Sequence, residues 1–171
     1  AAAEFAREDA ALTHPHRICV DANAAFVAAL VVGIQGGSAE DVVVAMESTA
    51  AEPEVLGAIA AGRDGDVSRY GEHEGWVLLA LSIAVRQVLH VADPVEALVE
   101  AVGMGGDTDT NAAIAGALLG AVHGADAWPG QWVSGVLECE PEKGQPGVVN
   151  PLGREFWATD LLGQADRLAD V

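Results

Sequence analysis

Gly105-Gly106-Asp107-Thr108-Asp109-Thr110 opens the most informative stretch of this chain, and Gly105 through Gly124 reads GGDTDTNAAIAGALLGAVHG. Two carboxylates and two hydroxyls follow a pair of glycines, which let a backbone turn sharply and approach a ligand closely. Asp107, Asp109 and the Thr110 hydroxyl supply oxygen ligands of the kind that Mg²⁺, Mn²⁺ or Ca²⁺ prefer. Asp109 or Thr110 could equally cap the helix that begins here. Capping accounts for one acidic residue and leaves Asp107 unexplained. Behind the cluster, Ala112, Gly116, Gly120 and Gly124 recur at four-residue spacing and form a smooth helical stripe. Glycine costs a helix roughly 1 kcal/mol relative to alanine, so the stripe predicts close packing against a neighbouring helix.

Working outward, the punctuation is helical throughout. Residues 1–11 read as an acidic, Ala-rich helix ending before Thr13-His14-Pro15-His16, where Pro15 pushes His14 toward an extended conformation. Asp21 to Ile34 is strongly apolar and stops at Gly36-Gly37. Ser38 is a good N-cap, with Asp41 completing a shortened capping box for a helix to about Ala50. Pro53 opens another, to Gly62. Arg63 to Gly75 is the most polar stretch and reads as a long exposed loop, with Glu72, His73 and Glu74 as further candidates to face a cleft. Apolar helices follow from Gly75 to Val91, from Asp93-Pro94 to about Val102, and from near Asp109 to His123. Trp128 to Glu138 and Glu155 to Ala169 complete the set, separated by a Pro/Gly-rich loop from Glu140 to Gly153. No run alternates with period two. The expectation is a single all-α domain over residues 1–171, of about eight helices, several apolar on nearly every face and therefore central.

Composition supports this and excludes several classes. The 171 residues are 51% hydrophobic with few aromatics, and the Ala, Val, Leu and Gly that dominate suit closely packed helices. A formal charge of −18 repels polyanions and argues against nucleic-acid binding. Cys19 and Cys139 stand far apart, which predicts neither a disulfide framework nor a zinc site and fits a reducing cytoplasm. The uninterrupted apolar stretches near Ala24–Ile34, Trp76–Val85 and Ala112–Val122 fall short of the roughly 18–20 residues a membrane span needs. Glu4, Glu8 and Asp9 stand where a signal peptide would be basic.

The string from Gly105 to Gly124 strongly resembles the C-terminal signature of the ADP-ribosylglycohydrolase family, which includes dinitrogenase-reductase-activating glycohydrolase and the ADP-ribosyl-acceptor hydrolases. Thr13-His14-Pro15-His16 with its following apolar helix, Gly75-Trp76-Val77, and Asp93-Pro94-Val95-Glu96-Ala97 resemble that family in the same order. The resemblance implies an all-α, compact orthogonal bundle with a centre of two Mg²⁺ or Mn²⁺ ions that hydrolyses the bond between ADP-ribose and a modified side chain or related acceptor. It implies Asp107, Asp109 and Thr110 as metal ligands. It also implies His14 as a ribose- or diphosphate-binding residue, Trp76 as the adenosine contact, and Gly75, Gly105 and Gly106 as points of close approach. Trp128, Trp132 and Trp157 read as packing residues, and His16 as an exposed or capping residue. The Thr/Ser-Asp-Asp triplet and the Gly-Asp motif of complete members, which supply the other metal ligands and the acid/base, have no counterpart in these residues. The chain is therefore expected to work with a missing N-terminal half or a second chain. The competing expectation is a catalytically inactive ADP-ribose-binding or structural relative.

Overall fold

The computed structural model describes residues 1–67 and 75–169. Among them are nine α-helices, with three short 3₁₀ turns and no strand, so the all-α expectation holds. The candidates Glu72, His73 and Glu74 lie outside the described residues. The helices gather into two units, Ala1–Ala127 and Trp128–Val171.

The first unit holds α1 (Ala2–Thr13), α2 (Arg17–Ile34), α3 (Ala39–Thr49), α4 (Pro53–Asp64), α5 (Val77–His90), α6 (Pro94–Gly103) and α7 (Thr108–His123). The local signals explain most of the boundaries. The Ser38 hydroxyl accepts from the Asp41 amide while the Asp41 carboxylate accepts from the Ser38 amide, a complete capping box. The Asp93 carboxylate accepts from the Val95 and Glu96 amides above Pro94. Helix α4 runs to Asp64, past the expected Gly62, because Gly65 takes the left-handed conformation (φ +80°) that closes it.

Helix α2 begins at Arg17 rather than Asp21. Pro15 keeps the chain extended only through His16, which takes the N-cap position. Asp21 is therefore inside the helix, 3% exposed, and caps a different element. Its Oδ2 accepts from the Ala51 and Glu52 amides, each at 2.8 Å, at the start of α4. Its Oδ1 accepts from Arg7 of α1 at 2.9 Å. One buried carboxylate thus ties α1, α2 and α4 together. At 18 residues α2 is long and apolar enough to cross a membrane by length and composition, but it packs against α1, α3 and α7 as a core helix.

The core is built from small and branched side chains. Helix α5 is buried from Leu78 through Val85 on every face, the central helix its composition predicts. Helices α3, α4 and α7 pack against it and contribute the fully buried Met46, Ile59, Leu118 and Leu119 to the core. Glycines outside the α7 stripe also pack closely. A β-carbon on Gly62 would fall 2.5 Å from the Ser82 carbonyl oxygen, and one on Gly33 would fall 3.0 Å from the Ala121 β-carbon. Gly116 does pack, 3.4 Å from Leu98, whereas Gly124 faces open space and serves as the α7 C-cap.

The second unit holds α8 (Gly130–Leu137) and α9 (Leu161–Ala169). Pro129 delays α8 to Gly130, and two 3₁₀ turns occupy the segment before Leu161 where a longer helix from Glu155 was expected. None of its described residues is buried. Trp132 is exposed rather than packed, and the Trp157 indole donates to the Leu152 carbonyl at 3.0 Å beneath the Arg154 guanidinium.

Candidate functional site at the converging starts of three helices

The starts of α2, α5 and α7 meet in the first unit. His16, the N-cap of α2, sets its ring edge-on to Trp76, the N-cap of α5, with centroids 6.1 Å apart at 66°. Gly75, with φ +75°, lies against the Asp107 carboxylate at the N-cap of α7; a β-carbon there would sit 3.8 Å from Asp107 Oδ2. None of these three helix starts carries a side-chain cap, in contrast to α3 and α6. At α2 and α5 the first-turn N–H groups and helix dipoles present positive potential, whereas at α7 the Thr108 and Thr110 amides donate to the Gly106 carbonyl and the Asp109 carboxylate. Anionic or oxygen-rich ligands bind well at such ends.

The carboxylates sit on one of these starts. Asp107 occupies the N-cap position without capping α7, and the half-buried residue is directed elsewhere. A hydrogen bond from Asp107, then the Thr110 amide at 2.9 Å, holds the exposed Asp109 carboxyl below the usual carboxylate range. Two carboxyls within hydrogen-bonding reach share either a proton or a cation. With the Thr110 hydroxyl beside them, the donor set is all oxygen and suits a hard divalent ion. Among the described residues no group of three or more His, Cys, Asp or Glu side chains gathers to hold a metal, so α7 offers part of a coordination sphere.

The other predicted site residues are distributed around this point. A cavity of about 350 Å³ opens beside Gly105 and Gly106, walled by Leu79 and Ile83 of α5, Met104 and residues 65–67. Its described wall does not take in His14, Gly75 or Trp76. His14 is exposed, its Nδ1 within 3.0 Å of the Thr13 hydroxyl. His16, read from sequence as the weaker histidine, is the one in contact with Trp76. Sequence reasoning had no signal for that pairing, because it depends on two distant helix starts meeting. It also passed over Asn111, next to the predicted ligands, which is 2% exposed.

The chain matches the family described as ADP-ribosylglycohydrolase over residues 1–170. It is similar to a protein of Acanthamoeba polyphaga mimivirus named as an ADP-ribosyl glycohydrolase, 39% identical over 66 residues, which are 39% of this chain and 20% of that relative. The match thus spans about a fifth of the relative's length. No solved structure matches the chain.

Proposed function

This chain belongs to the ADP-ribosylglycohydrolase family, and we propose that it takes part in hydrolysing the glycosidic bond between ADP-ribose and a modified side chain or related acceptor. The observation that carries this reading is the meeting of three uncapped helix starts around the Asp107–Asp109 pair.

In this reading the first-turn N–H groups of α2 and α5 bind the ribose and diphosphate oxygens, which they suit by charge and geometry. His14 donates to the same oxygens. The Trp76 indole offers a face to adenine while His16 holds the ring through its T-shaped contact. Gly75, Gly105 and Gly106 keep the ligand's approach to the backbone open. Asp107, Asp109 and Thr110 hold Mg²⁺ or Mn²⁺. Two such ions, when bound, supply Lewis-acid polarisation at the anomeric end of the ribose. Three donors are too few for two ions, so the reading includes further donors and an acid/base from outside these residues. Its setting is a reducing cytoplasm, with Cys19 and Cys139 unpaired.

The partial ligand set among the described residues favours a second reading, in which the protein binds ADP-ribose without turnover. One experiment separates the two. The full-length protein is given an ADP-ribosylated protein substrate with Mg²⁺ or Mn²⁺, and ADP-ribose binding is measured by calorimetry in parallel. Release of ADP-ribose that disappears in Asp107→Ala and Asp109→Ala supports the hydrolase. Binding without release supports the second reading, and the absence of both overturns the assignment to ADP-ribose chemistry.

A further inference from the structure

Leu79 and Ile83 stand one turn apart on α5 and, with Val67 and Met104, give the cavity beside Gly105 and Gly106 a mainly apolar wall. Its volume of about 350 Å³ falls within the roughly 300–1,000 Å³ of small-molecule pockets, toward the small end. The rest of the described wall is Asp66 and glycine backbone. Gly65, Gly105 and Gly106 hold φ of +80°, +79° and +68°, and a β-carbon on Gly105 would meet no heavy atom within 4 Å.

This backbone does not suit an anion. The Gly65 amide donates to the Gly62 carbonyl at 3.1 Å, the Asp66 amide to the Ala61 carbonyl at 3.1 Å and the Gly105 amide to the Val102 carbonyl at 3.3 Å. A phosphate would find those three donors engaged and the acidic Asp66 beside them. Burying a charge of either sign against Leu79, Ile83 and Met104 is costly. The group that gains here is uncharged, apolar and about one ring in size.

We propose that the cavity is a subsite for an uncharged aromatic ring on the acceptor, with the tyrosine side chain as the chemical class. The assignment to the acceptor rests on the ADP-ribose reading above, in which adenine lies on Trp76, outside the described cavity wall. The other parts of ADP-ribose carry hydroxyls or negative charge, so a desolvated ring belongs to the group across the glycosidic bond. A formal charge of −18 on the chain repels a nucleic acid and favours a protein side chain as the source of the ring.

The test uses p-cresol, the tyrosine side chain as a free molecule, titrated into the full-length protein and followed by ligand-observed NMR. Met104 is 36% exposed, so Met104→Trp, which fills the cavity, and Met104→Glu, which charges its wall, should both melt with the wild type. Each is expected to weaken p-cresol binding roughly 10-fold or more, while ADP-ribose binding measured by calorimetry stays unchanged. Wild-type p-cresol affinity in both variants overturns the subsite. Tighter binding of ethylguanidine or of thymine than of p-cresol overturns the tyrosine class. Displacement of p-cresol by ADP-ribose places adenine in the cavity and overturns the assignment to the acceptor. A wild-type protein that binds p-cresol in this Met104-dependent way but takes up no ADP-ribose overturns the ADP-ribose reading and leaves the aromatic subsite standing.

Discussion

Gly75 and Asp107 meet where α5 and α7 begin: a β-carbon on Gly75 would stand 3.8 Å from Asp107 Oδ2, and Gly75 holds φ +75°. The space admits a methyl group, but the backbone does not favour one. A left-handed conformation costs a non-glycine residue roughly 1–2 kcal/mol. Gly75→Ala is expected to lower the unfolding free energy from urea titration by that amount, and with it the midpoint, and to weaken Mn²⁺ binding by shifting the Asp107 carboxylate. An unchanged midpoint would show that the turn is not constrained by φ.

The edge-on contact between His16 and Trp76 predicts that His16→Ala loosens ADP-ribose binding by freeing the indole. Aromatic pairs of this geometry contribute about 0.5–1.5 kcal/mol, so the dissociation constant should rise roughly 2- to 12-fold in calorimetry. His14→Ala should weaken binding as well. Wild-type affinity in His14→Ala would leave that residue a plain surface histidine.

Asp21 is the most consequential buried polar group of the first unit. Removing one partner of a buried ion pair costs about 3–5 kcal/mol when the other is left unsatisfied, and Asp21→Ala also strips the acceptor from two α4 amides. Arg7 is 29% exposed in its side chain, so Arg7→Ala should cost distinctly less. Denaturant titration showing equal losses, or a loss below about 1 kcal/mol for Asp21→Ala, would contradict the triple role.

At Gly62 two effects compete. Alanine gains about 1 kcal/mol of helix propensity, whereas overpacking a core costs typically 1–3 kcal/mol. The β-carbon would meet a backbone oxygen at 2.5 Å, which cannot rotate away, so the second effect wins. Gly62→Ala is expected to destabilise the protein, and a raised melting temperature would refute this account of the α4–α5 contact.

Hydrogen bonds from Ser38 hold the Asp41 carboxyl below its ordinary value of 3.8. A depressed acid contributes stability that is present above its unfolded value and is lost as pH falls through the folded one. Ser38→Ala should therefore raise the Asp41 midpoint seen by NMR and remove its share of the acid sensitivity below about pH 4. An unmoved midpoint would show that the box does not form in solution.

Much of the helix pattern was legible because its signals are local. Ser38, Asp93-Pro94 and Pro53 each act on groups within three residues, and their boundaries fall where the sequence puts them. The apolar stretch from Asp21 does not mark the start of α2, which begins at Arg17 after the His16 N-cap, and the amide partners of Asp21 belong to Ala51 and Glu52. The α7 stripe was only partly informative: small residues show that a close approach is possible, not which helix makes it. Gly62 and Gly33 carry the tighter contacts because they face a backbone oxygen and a neighbouring β-carbon.

The sequence by itself determined the all-α class, through apolar periodicity and capping residues that work over one helical turn. It also determined the family and the adjacency of Asp107, Asp109 and Thr110, which lie on one short turn. Only the tertiary structure decided that the starts of α2, α5 and α7 converge, that His16 rather than His14 touches Trp76, and that Asn111 is buried. Those relationships depend on how helices cross, which packing sets through contacts between residues far apart in the chain.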